Sequence, residues 1–226
     1  MYYSKNHAGL VFIDRGVGEL EFSGKGGIRR EDTEIWNPVE NWKEVFTTVT
    51  VCEDITEIYA GVLEQFPNIN KMNLPKSLRC IDMTDALKML LHTNDVIVHA
   101  AYGSYGDTFA QENGLRFWPE NIELGWHRDE AHDESTKLIL RFHEDGTIDL
   151  LIDIFTTGIS AGSSGGASLE RPMPEEYYPG CTLEEFANLF PARYYEQIIN
   201  NNEVKVFLER ESERVNRMKN ELKEET

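Results

Sequence analysis

Lys137-Leu138-Ile139-Leu140-Arg141-Phe142-His143-Glu144-Asp145-Gly146-Thr147-Ile148-Asp149-Leu150-Leu151-Ile152-Asp153-Ile154-Phe155 decides the fold class. Leu138, Leu140 and Phe142 alternate with Ile139, Arg141 and His143. After Glu144-Asp145-Gly146, Ile148, Leu150, Ile152 and Ile154 alternate with Asp149, Leu151 and Asp153. A period of two on both sides of an acidic Gly turn predicts an antiparallel hairpin with one apolar face.

Upstream, Ala8–Asp14 and Val17–Ser23 alternate around Gly16 and predict a second hairpin. Gly24–Gly27 reads as a flexible loop. Asn37 as N-cap with Pro38 at the first helical position predicts a short helix to Phe46. Phe46–Cys52, rich in Thr and Val, predicts a strand. Ile55, Ile58, Tyr59, Val62, Leu63 and Phe66 fall on one helical stripe, with Asp54 as cap and Pro67 as stop. Thr84–His92 predicts another helix, Asp95–Ala101 a buried strand, 102–113 a Gly/Tyr-rich loop and Leu115–Trp118 a short strand. Residues 156–181 read as a long loop. Thr182 and Glu185 form a capping box for a helix over Leu183–Phe190, and Pro191 opens a last helix to about Glu224.

The expected fold is therefore α+β, a mixed and largely antiparallel sheet with flanking helices and a long C-terminal helix. Residues 1–181 form the α+β domain and 182–226 a helical extension that packs on the body or serves a homo-oligomer. No internal repeat at solenoid periods is visible. No apolar run reaches the roughly 20 residues of a membrane span. The start, Met1–His7, has no apolar core of signal-peptide type, and the three cysteines, Cys52, Cys80 and Cys181, are odd in number and form no CxxC. Buried thiols in a cytoplasmic protein are the expectation.

Charge narrows the function classes. The chain has 40 acidic and 22 basic residues and a net charge of −18. Residues 31–70 hold nine acids and one base, and 119–155 hold ten acids and three bases. Such a surface disfavours nucleic acid and anionic membrane and favours a basic protein partner. The expected function is an acidic binding protein that inhibits or sequesters such a partner, for example a nucleic-acid-handling enzyme. Its contact residues would be Glu31, Asp32, Glu34, Trp36, Trp126, Asp129, Glu130, Asp133 and Glu134, with carboxylates for charge and indoles as anchors. The plain alternative is that the acidity serves solubility.

Two chemical alternatives stand beside this. In the acidic loop 126–134, His127, Asp129, His132 and Asp133 offer imidazole and carboxylate ligands of the kind zinc or manganese takes, although no HExxH is present; a metal-dependent hydrolase would use them. Gly158–Gly166 contains G-x-S-x-G twice, but no helix follows and no His lies downstream, so a nucleophile elbow is excluded. Backbone N–H groups of that loop suit phosphate. Asn94–Ala101 faintly resembles the strand leading into the ADP-ribose site of macro domains. That family continues Asn-Ala-Ala-Asn where this chain has His99, Ala100, Ala101 and Tyr102. The resemblance implies a nucleotide-type ligand near His99, with Gly158, Ser160, Gly162, Ser164 and Gly165 as a second phosphate loop.

Overall fold

In the computed structural model, residues 1–36, 38, 40–129, 134–144, 148–156 and 200–224 are described; over 124–129, 134–138, 148–156 and parts of the last helix this holds for the backbone alone. The chain forms two compact units, Met1–Pro119 and Glu120–Thr226. Both strands and helices are present, so the fold is α+β. The expected boundary at 181/182 lies outside the described residues.

The first unit is a stack of coils whose strands form two sheets, one mixed and one parallel. Its larger, seven-stranded sheet has the order β1-β2-β3-β5-β7-β9-β10. These strands are Tyr2–Tyr3, Val11–Gly16, Glu19–Ser23, Thr48–Val51, Lys71–Asn73, Ile97–Ala100 and Arg116–Pro119. The first three pair antiparallel and the rest parallel. A smaller sheet, β4-β6-β8, is parallel throughout: Gly26–Ile28, Ile55–Ile58 and Cys80–Ile81. The chain places a strand in the large sheet, turns a corner, places one in the small sheet and returns. The returns are 3-10 turns at Arg30–Thr33, Trp42–Val45 and Leu63–Gln65, then helix α1 (Asp85–Thr93); helix α2 (Tyr105–Glu112) alone joins β9 to β10. Corner amides continue the ladder: Thr48 N–H donates to Gly18 O at 3.0 Å, Asn70 N–H to Thr47 O at 2.8 Å and Ile97 N–H to Asn70 O at 2.9 Å.

This corrects the expectation of a largely antiparallel sheet. Parallel pairing dominates the first unit because consecutive coils run in the same direction, so their strands arrive in the same sense. The stacking exists without a repeated sequence. The large-sheet strands start at irregular intervals, and no residue pattern recurs from coil to coil.

The core fills the space between the sheets. Leu20 and Phe22, Val49 and Val51, Met72, Val98 and Ala100 point in from one side, and Ile28, Ile55, Ile58 and Ile81 from the other; all are buried. Trp42 closes the N-terminal end, with ring centroids 5.0 Å from Tyr2, 5.9 Å from Phe12, 6.2 Å from Phe46 and 5.8 Å from Phe66. Burying a side chain of this size contributes roughly 1.5–3 kcal/mol.

Several local expectations change. The stripe Ile55–Phe66 is not a helix but strand β6, a corner and a 3-10 turn. Its apolar members Ile55, Ile58, Val62, Leu63 and Phe66 are buried nonetheless. A coil that turns a corner every few residues faces the core with a helix-like spacing. Gly61, at φ +81° against the Arg30 side chain, makes the corner that a helix could not. The loop expected at Gly24–Gly27 contains the start of β4. The helix expected from Asn37 is a 3-10 turn at Trp42–Val45; residues 37 and 39 lie outside the described residues.

The loop expected at 102–113 contains α2. Ser104 Oγ accepts from Asp107 N–H, and Asp107 Oδ2 takes the Gly103 N–H at 2.8 Å. A glycine stands at 106, in the first turn of α2, because a Cβ there would come within 2.7 Å of Ala100 Cβ and 3.2 Å of Leu74 Cβ.

The second unit contains the antiparallel sheet β11-β12-β13, Ile122–Asp129, Glu134–Phe142 and Ile148–Thr156. The 137–155 hairpin is present in register, with Leu138 opposite Ile152 and Leu140 opposite Leu150. A helix, α3, covers Asn202–Glu224. Asn201 Oδ1 accepts the Val204 N–H at 2.9 Å, and Phe207 meets Phe142 at 5.5 Å. The long loop 156–181 beyond its first residue, the helix 183–190 and the opening of the last helix at Pro191 lie outside the described residues.

Val17 is the most strained described position. It occupies the two-residue turn between β2 and β3 at φ +52°, followed by Gly18 at φ +79°, a type I′ pattern that favours Asn-Gly. Its side chain is fully exposed, so nothing offsets a left-handed β-branched residue, which costs about 1–2 kcal/mol. Val17→Asn is expected to raise the free energy of unfolding by about 1 kcal/mol in urea titration; an unchanged or lower value would show that Val17 makes a compensating contact.

Candidate binding surfaces

The first expected contact stretch lies on the segment after β4. Arg29 is extended, and its N–H donates to Asp32 Oδ2 at 2.8 Å, starting the 3-10 turn Arg30–Thr33. Asp32 is 5 % exposed. Its carboxylate is consumed by the turn, so it drops out of the expected contact set. Glu31 and Glu34 are exposed. Their carbonyls hold the N-terminal segment: Glu31 O accepts from Asn6 Nδ2, and Glu34 O accepts the Lys5 N–H at 2.7 Å. Trp36 N–H donates to Tyr3 O, and its ring is 62 % exposed with Lys5 Nζ 5.6 Å from its centroid. Glu31, Glu34 and Trp36 thus share one edge. Further along the chain Glu40, Glu44, Glu53 and Asp54 are exposed too. The stretch's one base, Lys43, is turned inward.

Of the second expected cluster, Trp126 and Asp129 are on β11 and Glu134 opens β12, with Asp129 and Glu134 register partners. Only 130–133 remain between these strands, so most of the expected acidic loop is sheet. The side chains of 124–138, including His127, and all of Glu130, His132 and Asp133 lie outside the described residues. Among the described residues no group of three His, Cys, Asp or Glu could hold a metal. Gly158, Ser160, Gly162, Ser164 and Gly165 also lie outside them.

Sequence reasoning missed the outer face of the parallel sheet. Pairing places Glu19, Thr48, Lys71, Ile97 and Arg116 in one row, and Glu21, Thr50, Asn73, His99 and Trp118 in the next. Hydrogen bonds run along it: Asn73 Nδ2 donates to Thr50 Oγ1 at 2.7 Å, and Thr50 Oγ1 donates to Glu19 Oε1 at 2.7 Å. Glu21 accepts from Arg15 at 2.6 Å and from the Cys52 thiol at 3.2 Å. At the other end Lys71 Nζ lies 4.1 Å from the Trp118 centroid, and the His99 ring 4.8 Å from it. The polar alternation in β3, β5 and β7 was the available signal, hidden because each strand shows only two or three outward positions.

A third feature is a half-buried polar cluster behind the 3-10 turns. Lys43 Nζ donates to Thr33 Oγ1 at 3.0 Å and to Gln65 Oε1, and Thr33 Oγ1 lies 2.9 Å from Gln65 Oε1. Thr84, the N-cap of α1, donates its hydroxyl to Glu64 Oε1 at 2.6 Å. Hollows of about 430 and 400 Å³ flank Glu64 and Gln65. Burial pushes the Lys43 ammonium below its ordinary value of 10.5; Glu34 opposes the shift and Arg30 adds to it. Burial pushes the Cys52 and Cys80 thiols up, with the hydrogen bonds to Glu21 and Asp82 adding to the effect. Neither is an activated nucleophile.

No protein-family model matches the chain, and no curated protein matches it. Among solved structures it is similar to a leucine-rich repeat protein from Eubacterium ventriosum, at 17 % identity and a TM-score of 0.28, over 36 % of this chain and 22 % of that one. No described helix is long and apolar enough to cross a membrane.

At low pH Lys43 is charged in both folded and unfolded states, and its burial opposes folding. As pH rises through its lowered value the folded state releases the proton first, so stability rises up to 10.5. The difference in unfolding free energy between wild type and Lys43→Met is therefore expected to shift toward wild type as pH rises through that window; a flat difference would show that Lys43 titrates normally. Iodoacetamide at neutral pH is expected to modify Cys52 and Cys80 more slowly than free cysteine, read by peptide mass spectrometry. A rate at or above that of free cysteine would mark a reactive thiol.

Proposed function

We propose that this is an acidic binding protein of the cytoplasm that works by occupying a basic surface on a protein partner, as an inhibitor or sequestering factor would. The observation that carries this reading is Trp36, 62 % exposed on an edge that also carries the exposed carboxylates Glu31 and Glu34. An indole in water is costly to leave uncovered and is enriched at the centres of interfaces; flanking carboxylates select lysine and arginine. Net charge supports the same direction: 17 acids and 11 bases fall in Met1–Pro119, and 23 acids and 11 bases in Glu120–Thr226. A field of this sign accelerates encounter with a cationic surface and repels phosphate backbones. In this reading Trp126, Asp129, Glu130, Asp133 and Glu134 add a second acidic contact, and residues 182–226 form a helical extension to the acidic body.

Bulk charge and a built contact make different demands. Binding to an immobilised lysine-rich peptide is expected to weaken about tenfold in Glu31→Lys/Glu34→Lys and several-fold in Trp36→Ala. The control, Asp85→Lys/Glu112→Lys on α1 and α2, changes net charge equally and is expected to weaken it far less. Equal losses in the two charge variants, with Trp36→Ala unchanged, would reduce the acidity to solubility and overturn the proposal.

A further inference from the structure

The outer face of the parallel sheet is polarised along its length. Glu19 and Glu21 stand on β3, and Lys71 and Arg116 on β7 and β10. Lys71 stands on the central strand with its ammonium 4.1 Å from the Trp118 ring on β10; Asn73 shares that strand, and the Thr50 hydroxyl lies between it and the β3 acids. Thr50 passes a hydrogen bond from Asn73 to Glu19, so these dipoles point toward the β3 carboxylate. Asn73 Oδ1, at the midpoint of the second row, is shielded and lacks a donor among the described residues. A shielded acceptor without a donor is costly and marks a place where a ligand N–H gains more than it does in water.

The charged groups already have partners, of which the Arg116 pair is the most open to water. Arg116 is bridged to Asp95 at 2.8 Å with more than half of both side chains in water, whereas Glu21, 14 % exposed, is bridged at 2.5 Å to the half-exposed Arg15. An exposed pair such as Arg116–Asp95 yields readily to a better-placed partner.

Dimensions select the occupant. Four strand spacings from β3 to β10 span about 19 Å, and the two rows lie about 7 Å apart. That footprint is far below the roughly 800 Å² per partner of a standard protein interface. A second copy of the chain would also bring Lys71 near Lys71 when Glu19 meets Arg116 across a two-fold axis. A single extended segment fits: about six residues cover about 19 Å.

We propose that this face binds an extended peptide segment of about six residues that carries a basic side chain at one end and a carboxylate at the other. The basic group lies against Glu19 and Glu21, the carboxylate against Lys71 and Arg116, and a backbone N–H reaches Asn73 Oδ1. This site is separate from the Glu31–Trp36 edge and stands or falls independently of it.

Three fluorescent hexapeptides with blocked termini and a Gly/Ser interior test it by polarisation: one with Arg and Asp at opposite ends, one with Arg at both, one with Asp at both. Wild type is expected to prefer the Arg/Asp peptide by about tenfold over either other. Glu19→Lys/Glu21→Lys is expected to transfer the preference to the peptide with Asp at both ends, and Lys71→Glu/Arg116→Glu to the one with Arg at both. Asp85→Lys/Glu112→Lys is expected to keep the wild-type ranking. An absence of binding by all three peptides, or an unchanged ranking in both sheet variants, overturns the proposal.

Discussion

Everything in the first unit depends on one constraint: a thin apolar layer must be closed between two sheets. The inward rows of the large sheet, Leu20–Val49–Met72–Val98 and Phe22–Val51, meet Ile28, Ile55, Ile58 and Ile81 from the small one. No single coil can bury such a layer alone, because each contributes only a few apolar side chains and offers its neighbours two open edges. Stability therefore comes from adjacency, as in other stacked architectures. The antiparallel β1–β3 segment covers one end, bringing Leu10 and Phe12 and the Tyr2–Trp42 pair over the first coil.

The layer also tapers. Large rings, Phe12, Phe22, Trp42 and Phe66, fill the N-terminal end, and Ala100 stands at the other with Gly106 of α2 directly above it. The size change explains why the last coil uses a helix where earlier ones use a short strand. A strand needs a partner strand beside it, but a helix satisfies its own backbone and needs only a small-residue seat. Gly106 is a poor helix former in isolation. Close approach to Leu74 and Ala100 outweighs that local penalty.

The legibility of the sequence follows from how far each signal reaches. Elements whose pattern is complete within themselves were readable: the 137–155 hairpin, the hairpin around Gly16, α1 behind its Thr84 cap, and the strand containing Val98. Elements whose meaning depends on neighbours were not. Ile55, Ile58, Val62, Leu63 and Phe66 have a helical spacing, and all five are buried, yet the chain turns corners between them. Periodicity reports which residues are inside, not what path joins them. Ser104-x-x-Asp107 was a local signal for α2, masked by the Gly and Tyr residues around it. The sheet face was least readable of all, since a row such as Glu19–Thr48–Lys71–Ile97–Arg116 spans nearly the whole unit and exists only through register.

The acidic run at 31–34 shows how geometry sorts like residues into unlike roles. Asp32 stands three residues after Arg29, the spacing at which a short carboxylate reaches back to a free N–H at the start of a turn. It is buried and spoken for. Glu31 and Glu34, on either side, have carbonyls that anchor Asn6 and Lys5 and side chains that remain in water. The same backbone segment thus fixes its own shape with one acid and presents the other two at a set spacing beside Trp36. Charge held this way costs the fold little, because the exposed carboxylates stay solvated and the N-terminal strand is held by main-chain bonds. A disordered acidic tail would carry equal charge but would lose entropy on meeting a partner. Here that ordering has already occurred on folding, which is the physical reason to expect a contact at this edge.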